Sequence, residues 1–119
     1  MVADPQQLPA VIVTLPPEID MVNAGRVGQQ LGAAFAPGVK TVIADMSATR
    51  FCDSSGISML VRAHKHAAAN GARLRLVVGP VAVRRALALV SLDQLLPIYP
   101  SLSQALAAGP VPGPQGRHQ

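Results

Sequence analysis

The chain has 119 residues, half of them hydrophobic, with ten Lys and Arg against six Asp and Glu. That is one domain's worth of chain and enough apolar content to bury a core, which excludes a disordered protein and makes two independent cores unexpected. One Cys, no Trp, two Phe and one Tyr leave no internal disulfide, no multi-cysteine zinc site and little with which to stack bases.

Residues 8–15, Leu-Pro-Ala-Val-Ile-Val-Thr-Leu, are rich in β-branched side chains and read as a first strand that stops at Pro16-Pro17. Val27, Leu31, Ala34 and Phe35 then recur at helical spacing, predicting a helix over about 21–36 that Asp20 or Asn23 can cap and Pro37-Gly38 ends. Residues 39–46 form a short, continuously apolar strand of the kind buried on both faces of an α/β sheet. A loop over 47–53 leads to a second helix over 54–70, with Ile57, Leu60, Val61, His64 and Ala68 directed to the core and Asn70-Gly71 closing it. Residues 73–78 are a third strand. Gly79-Pro80 opens a third helix with Val83, Ala86, Leu87 and Val90 on one face, which leaves Arg84 and Arg85 toward solvent. Residues 95–99 supply an edge strand, and Ser101 with Gln104 carries a capping-box signature for a last helix through Leu102, Ala105 and Leu106.

This order predicts an α/β domain over residues 1–108: a small mixed, mostly parallel β-sheet with about four α-helices. Residues 109–119 hold six Gly or Pro and no apolar period, and are expected to be a disordered tail. No apolar run nears the about 18 residues of a membrane span, so no membrane insertion is expected. The first residues lack a positive cluster followed by an apolar stretch, so the expected location is cytoplasmic. The basic residues concentrate in the second half, but Arg62, Lys65, Arg73, Arg75, Arg84 and Arg85 fall on different elements. A nucleic-acid footprint gathers on one face, so direct nucleic-acid binding is not expected.

The chemistry lies where the second strand meets the second helix: Asp45-Met46-Ser47-Ala48-Thr49-Arg50-Phe51-Cys52-Asp53-Ser54-Ser55-Gly56-Ile57. Read from its residues alone, this stretch has two accounts. In one, Ser54 or Ser55 is simply an N-cap, Asp53 complements the helix dipole and Gly56 permits close helix-to-sheet packing. In the other, a phosphate on Ser54 sits at the positive helix end near unpaired amides and beside Asp53, where its added charge changes what the surface can bind.

The pattern Asp-x-Ser-x-x-x-Phe-x-Asp-Ser-Ser-Gly followed by an aliphatic residue resembles the signature of STAS domains, specifically the bacterial anti-sigma factor antagonists. Glu18-Ile19-Asp20, residues 71–77 and residues 81–95 are similar to further family segments, so the resemblance spans roughly residues 8–108. It implies that Ser54 is the phosphoacceptor and that the chain, not itself an enzyme, is ligand and substrate of an anti-sigma factor serine kinase. The unphosphorylated antagonist captures that kinase and frees a sigma factor; phosphorylation ends the capture and a phosphatase resets it. ATP and Mg belong to the kinase, and no cofactor is expected on this chain. The implied partner surface comprises Asp20, Asp53, Ser55 and Gly56 together with Ser58, Met59 and Arg62 on the outer side of the second helix. A non-phosphorylated STAS subunit of a transport or stress-signalling assembly is the alternative. Two departures stand out: Pro16-Pro17 replaces a Gly common before the Glu, and Cys52 replaces an aliphatic residue, as a small buried hydrophobe or a redox thiol.

Catalysis is not expected. The Asp53-Ser54-Ser55-Gly56 turn lacks the Gly-x-Ser-x-Gly elbow of a serine hydrolase, and His64, His66 and His118 are poorly placed as bases. His64 and His66, two apart on a helix, point in different directions and do not make a metal site.

Overall fold

A computed structural model describes residues 10–108. Leu8 and Pro9 of the expected first strand and the expected tail over 109–119 lie outside the described residues. The elements are β1 (Val11–Thr14), β2 (Glu18–Ile19), α1 (Ala24–Ala34), β3 (Thr41–Met46), β4 (Phe51–Cys52), α2 (Ser54–Ala69), β5 (Arg73–Val78), α3 (Val81–Leu89), a 3-10 turn (Leu92–Gln94), β6 (Ile98–Tyr99) and α4 (Leu102–Ala107).

The main sheet runs β1-β3-β5-β6, and every pairing in it is parallel. The central pair aligns Thr41 with Arg73 and Met46 with Val78. Side chains alternate across a strand, so this sheet builds two cores. Val42, Ala44 and Met46 of β3 and Leu74, Leu76 and Val78 of β5 join one core with α1, α2 and α3. Ile43 and Val77 face the other way and meet Ala105 of α4.

A second, two-stranded sheet pairs β2 with β4 in parallel, aligning Glu18 with Phe51 and Ile19 with Cys52. The stretch expected to be a plain loop over 47–53 therefore contains a strand. Pro16 and Pro17 break β1 because they offer no amide to a ladder, yet their carbonyls hold the loop that leads into β4. The Pro16 carbonyl accepts from Oγ1 of the buried Thr49 at 2.8 Å, and the Pro17 carbonyl accepts from Arg50 N at 2.7 Å and Phe51 N at 3.3 Å.

Helix α1 starts three residues later than the periodicity predicts. The Asp20 carbonyl accepts from Asn23 N and Ala24 N, holding Met21, Val22 and Asn23 in a turn. Asn23 occupies the cap position but does not cap: its side chain accepts from Asp20 N at 3.0 Å and donates to the Glu18 carbonyl at 2.8 Å. Helix α2 ends at Asn70, and Gly71, at φ +68°, turns the chain into β5 in the left-handed region that glycine enters without strain.

Two arginines are tied down, one of which, Arg84, the sequence places toward solvent. Arg75 is 6% exposed, and its Nη1 donates to the carbonyls of Ala105 at 2.9 Å and Ala108 at 3.2 Å, neutralising the carbonyl end of α4. Arg84 does not extend into solvent; its Nη1 donates to the Val78 and Gly79 carbonyls at 3.0 and 2.9 Å. Part of the chain's basicity thus satisfies backbone carbonyls. Among the described residues, no helix is long and apolar enough to cross a membrane.

Candidate functional site

The β2–β4 pairing brings two sequence-distant motifs to one place. With Ile19 opposite Cys52, the next residues along each strand are Asp20 and Asp53, and Asp53 N donates to the Ile19 carbonyl at 3.1 Å. Asp53 then caps α2. Its backbone is extended and its Oδ1 accepts from Ser55 N at 2.8 Å and Gly56 N at 3.2 Å. The cap is therefore the aspartate; neither Ser54 nor Ser55 fills that role. The same two bonds correct the picture of open amides awaiting a phosphate: the Asp53 carboxylate already takes the first of them, so an anion on Ser54 meets a helix end whose positive charge is largely answered.

Ser54, the first residue of α2, is exposed, and Ser55 behind it is half-buried. Gly56 is buried, because α2 begins where β2 and β4 leave no room for a side chain. A Cβ on Gly56 would stand 2.5 Å from Cys52 Sγ and 2.8 Å from Ile19 Cγ2. Gly56 therefore supports the site from below and is not part of its surface.

Along α2 the structure divides the expected partner residues. Ser58 and Arg62 are exposed and lie one turn apart, as the helical spacing predicts. Met59 does not join them. It is 2% exposed and packs against α1 where Gly28 leaves space, a Cβ there falling 3.0 Å from Met59 Cγ. The buried face of α2 is Gly56, Met59, Leu60, Ala63 and Ala67, while Ile57, Val61 and His64 are half-buried at its edge and Ala68 is exposed.

Asp20 is half-buried and holds its own turn, Oδ1 accepting from Val22 N at 2.9 Å. That turn exposes two large apolar side chains, Met21 at 79% and Val22 at 86%, and Phe51 of β4 is 51% exposed. These three were not among the residues singled out from the sequence. The signal was available for Met21 and Val22, which stand between Asp20 and Asn23 and outside the apolar period of α1. These exposed apolar side chains rim the polar Asp20 and Asp53, and clustered exposed apolar surface marks protein-interaction sites. The Glu18–Arg50 ion pair across β2 and β4, at 3.9 Å with both side chains exposed, adds little to stability.

Burial, with the Asp53 carboxylate alongside, pushes the Cys52 thiol up to about 11, so it is a poor thiolate and a poor nucleophile. Its Sγ lies 3.8 Å from the Asp53 carbonyl, and it serves as the small apolar neighbour of Gly56. Burial and then the Lys65 charge lower His64 below its ordinary value. His66 stands on the exposed side, its ring edge-on to Phe35 with centroids 5.7 Å apart. Among the described residues, no three His, Cys, Asp or Glu side chains are grouped to hold a metal ion.

The STAS domain family model matches residues 2–105, and the chain belongs to that family. An anti-sigma factor antagonist from Mycobacterium paratuberculosis is 32% identical, with a TM-score of 0.73 and 82% of each chain covered. The Bacillus cell fate determinant SpoIIAA in its phosphorylated form is 19% identical with a TM-score of 0.61, over 89% of this chain and 93% of that one. The murine anion transporter Slc26a9 shares the fold at 23% identity and a TM-score of 0.69, over 82% of this chain but 17% of its own. No curated protein sequence matches the chain.

Proposed function

We propose that this chain is an anti-sigma factor antagonist, which binds an anti-sigma factor kinase while Ser54 is unphosphorylated and is released from it once Ser54 carries phosphate. The observation that carries the reading is the exposed Ser54 at the first position of α2, directly after the Asp53 cap, on a domain that also exposes Met21, Val22 and Phe51 next to Asp20 and Cys52. The family membership and the 32% identical relative, itself an anti-sigma factor antagonist, support it.

In the transfer, Ser54 Oγ attacks the γ-phosphorus of ATP held with Mg on the partner. The bond from that phosphorus to the β–γ bridging oxygen breaks, ADP leaves, and the hydroxyl proton passes to a base on the partner. The product adds a charge of about −1.5 to −2 directly beside Asp53. Because Asp53 occupies the Ser55 and Gly56 amides, the phosphate finds no unclaimed pair of donors there to reorganise the helix start. Its effect falls on the interface, where an unpaired buried charge costs several kcal/mol and each 1.4 kcal/mol is about a factor of ten in affinity. A phosphatase acting on phosphoserine reverses the state. The proposed contact set is Asp20, Asp53, Ser55, Ser58 and Arg62 with the apolar rim.

The test begins with co-purification from the native host and mass spectrometry of the bound proteins and of the Ser54 peptide. The recovered kinase with ATP is then given Ser54→Ala and Ser55→Ala separately. Phosphate incorporation is expected to vanish in the first and persist in the second; full incorporation into Ser54→Ala refutes the assignment. Equal kinase affinity for wild type, Ser54→Asp and phosphorylated protein refutes the switch and favours a non-phosphorylated subunit of a transport or stress-signalling assembly.

A further inference from the structure

A second apolar surface shares no residue with the one around Ser54. Val81, Arg85 and Leu89 recur at i, i+4 and i+8 along α3, and all three are exposed, Leu89 at 86%. Val90 and Leu95, just beyond the helix, are exposed as well. Beside this stripe lies a depression of about 340 Å³ lined by Val81, Arg84, Arg85, Ala88, Asp93 and Ile98. The patch thus carries a protruding leucine and a hollow in which the apolar Val81, Ala88 and Ile98 stand among three charged side chains. It also carries one exposed cation, Arg85, and one exposed anion, Asp93; the ion pair found among the described residues, Glu18–Arg50, involves neither.

We propose that this face seats a second copy of the same chain about a two-fold axis. In an isologous contact residue i meets residue j and j meets i, so a face must contain both halves of every complementary pair. This one does. Leu89 of each copy enters the depression of the other, and Arg85 of each faces Asp93 of the other. A partner of one charge would leave either Arg85 or Asp93 against like charge, a juxtaposition that interfaces avoid. The pairing leaves Ser54, Ser58, Arg62, Met21, Val22 and Phe51 uncovered by its contacts, so each copy of the dimer keeps its own switch surface.

The experiment is sedimentation equilibrium on the full chain alone, over a wide concentration range. The mass is expected to rise from 12.3 kDa toward twice that value. Leu89→Glu should stay at the lower mass throughout. Arg85→Glu and Asp93→Arg should each weaken association by at least about tenfold, through like charges brought face to face. The double variant Arg85→Glu/Asp93→Arg should regain it, which misfolding of either single variant would not allow. A wild-type chain that remains at 12.3 kDa at every concentration overturns the proposal. So does a dimer indifferent to Leu89→Glu, or a double charge exchange no better than the single ones.

Discussion

Replacing Asp53 separates two jobs that one carboxylate performs. Its Oδ1 takes the amides of Ser55 at 2.8 Å and Gly56 at 3.2 Å, and its charge faces both the α2 dipole and Ser54. Asp53→Ala removes the cap, a loss of about 1 kcal/mol in most helices. Here Gly56 is buried, so its amide is poorly rehydrated, and a stranded buried donor costs about 1–3 kcal/mol. The expected loss is therefore about 2 kcal/mol, which for a domain of this size lowers Tm by roughly 8–10 °C. Asp53→Asn keeps an oxygen in the same place and removes only the charge, so it should lose no more than the dipole contribution of about 0.3–1 kcal/mol. Urea unfolding monitored by far-ultraviolet circular dichroism measures both, with the slope m unchanged because the buried surface is unchanged. The reasoning is refuted if Asn is as damaging as Ala, or if Ala costs only a few tenths of a kcal/mol. Asp53→Asn, folded and capped, then isolates how much of the proposed response to Ser54 phosphate comes from the neighbouring charge.

Gly56→Ala drives a Cβ into Cys52 Sγ and Ile19 Cγ2 and should cost about 1–3 kcal/mol by urea unfolding; a neutral result would mean that α2 can slide away from β2 and β4. Met59→Ala should lose about 2–5 kcal/mol as a core truncation, whereas Ser58→Ala should stay within about 0.5 kcal/mol while weakening kinase binding. If both left stability untouched, the placement of Met59 would be wrong. The thiol of Cys52, raised from 9.0 to about 11, should carry about a hundredfold less thiolate at pH 8 than an ordinary cysteine, so iodoacetamide should modify it slowly until the chain is unfolded. The folded state holds this proton more tightly than the unfolded one, so stability from it is fully present below pH 9 and is lost as pH rises toward 11.

The elements with an unambiguous period were legible from the chain alone. Residues 73–78 form a strand with the bounds that the sequence predicts, α2 begins at Ser54, and Ser101 Oγ caps α4 by accepting from Gln104 N at 3.3 Å. The two-residue strands β2 and β4 were not, since two residues carry no period and exist only because tertiary pairing aligns them. The rotation of α2 was misjudged for a different reason. The apolar spacing puts Ile57, Leu60, Val61, His64 and Ala68 at the core, but of these only Leu60 lies on the buried face, which is Gly56, Met59, Leu60, Ala63 and Ala67. Small residues carry little hydrophobic signal yet permit close approach, so Gly56, Ala63 and Ala67 turn inward beside Met59 and Leu60 while Ile57 and Val61 lie at the edge. Arg84 shows a related limit: charge alone predicts solvent, while a long side chain can fold back onto carbonyls at its own helix start.

The site's Ser54 and its Asp20 turn are one mechanical unit although they stand 34 positions apart in the sequence. The Ile19 carbonyl receives Asp53 N, the Ile19 side chain fills the space under Gly56, and the Asp53 carboxylate fixes the first amides of α2. From the other side, Thr49 Oγ1 and the amides of Arg50 and Phe51 hold the incoming loop to Pro16 and Pro17. The diproline therefore alters the approach to the site by supplying carbonyls as well as by removing an amide. A serine so framed has its backbone held in place while its exposed side chain stays accessible, which suits the proposed role as acceptor for a kinase. In the proposed switch the same rigidity leaves added charge no local refolding through which to dissipate, so a phosphate on Ser54 would act at the exposed Met21, Val22 and Phe51 surface.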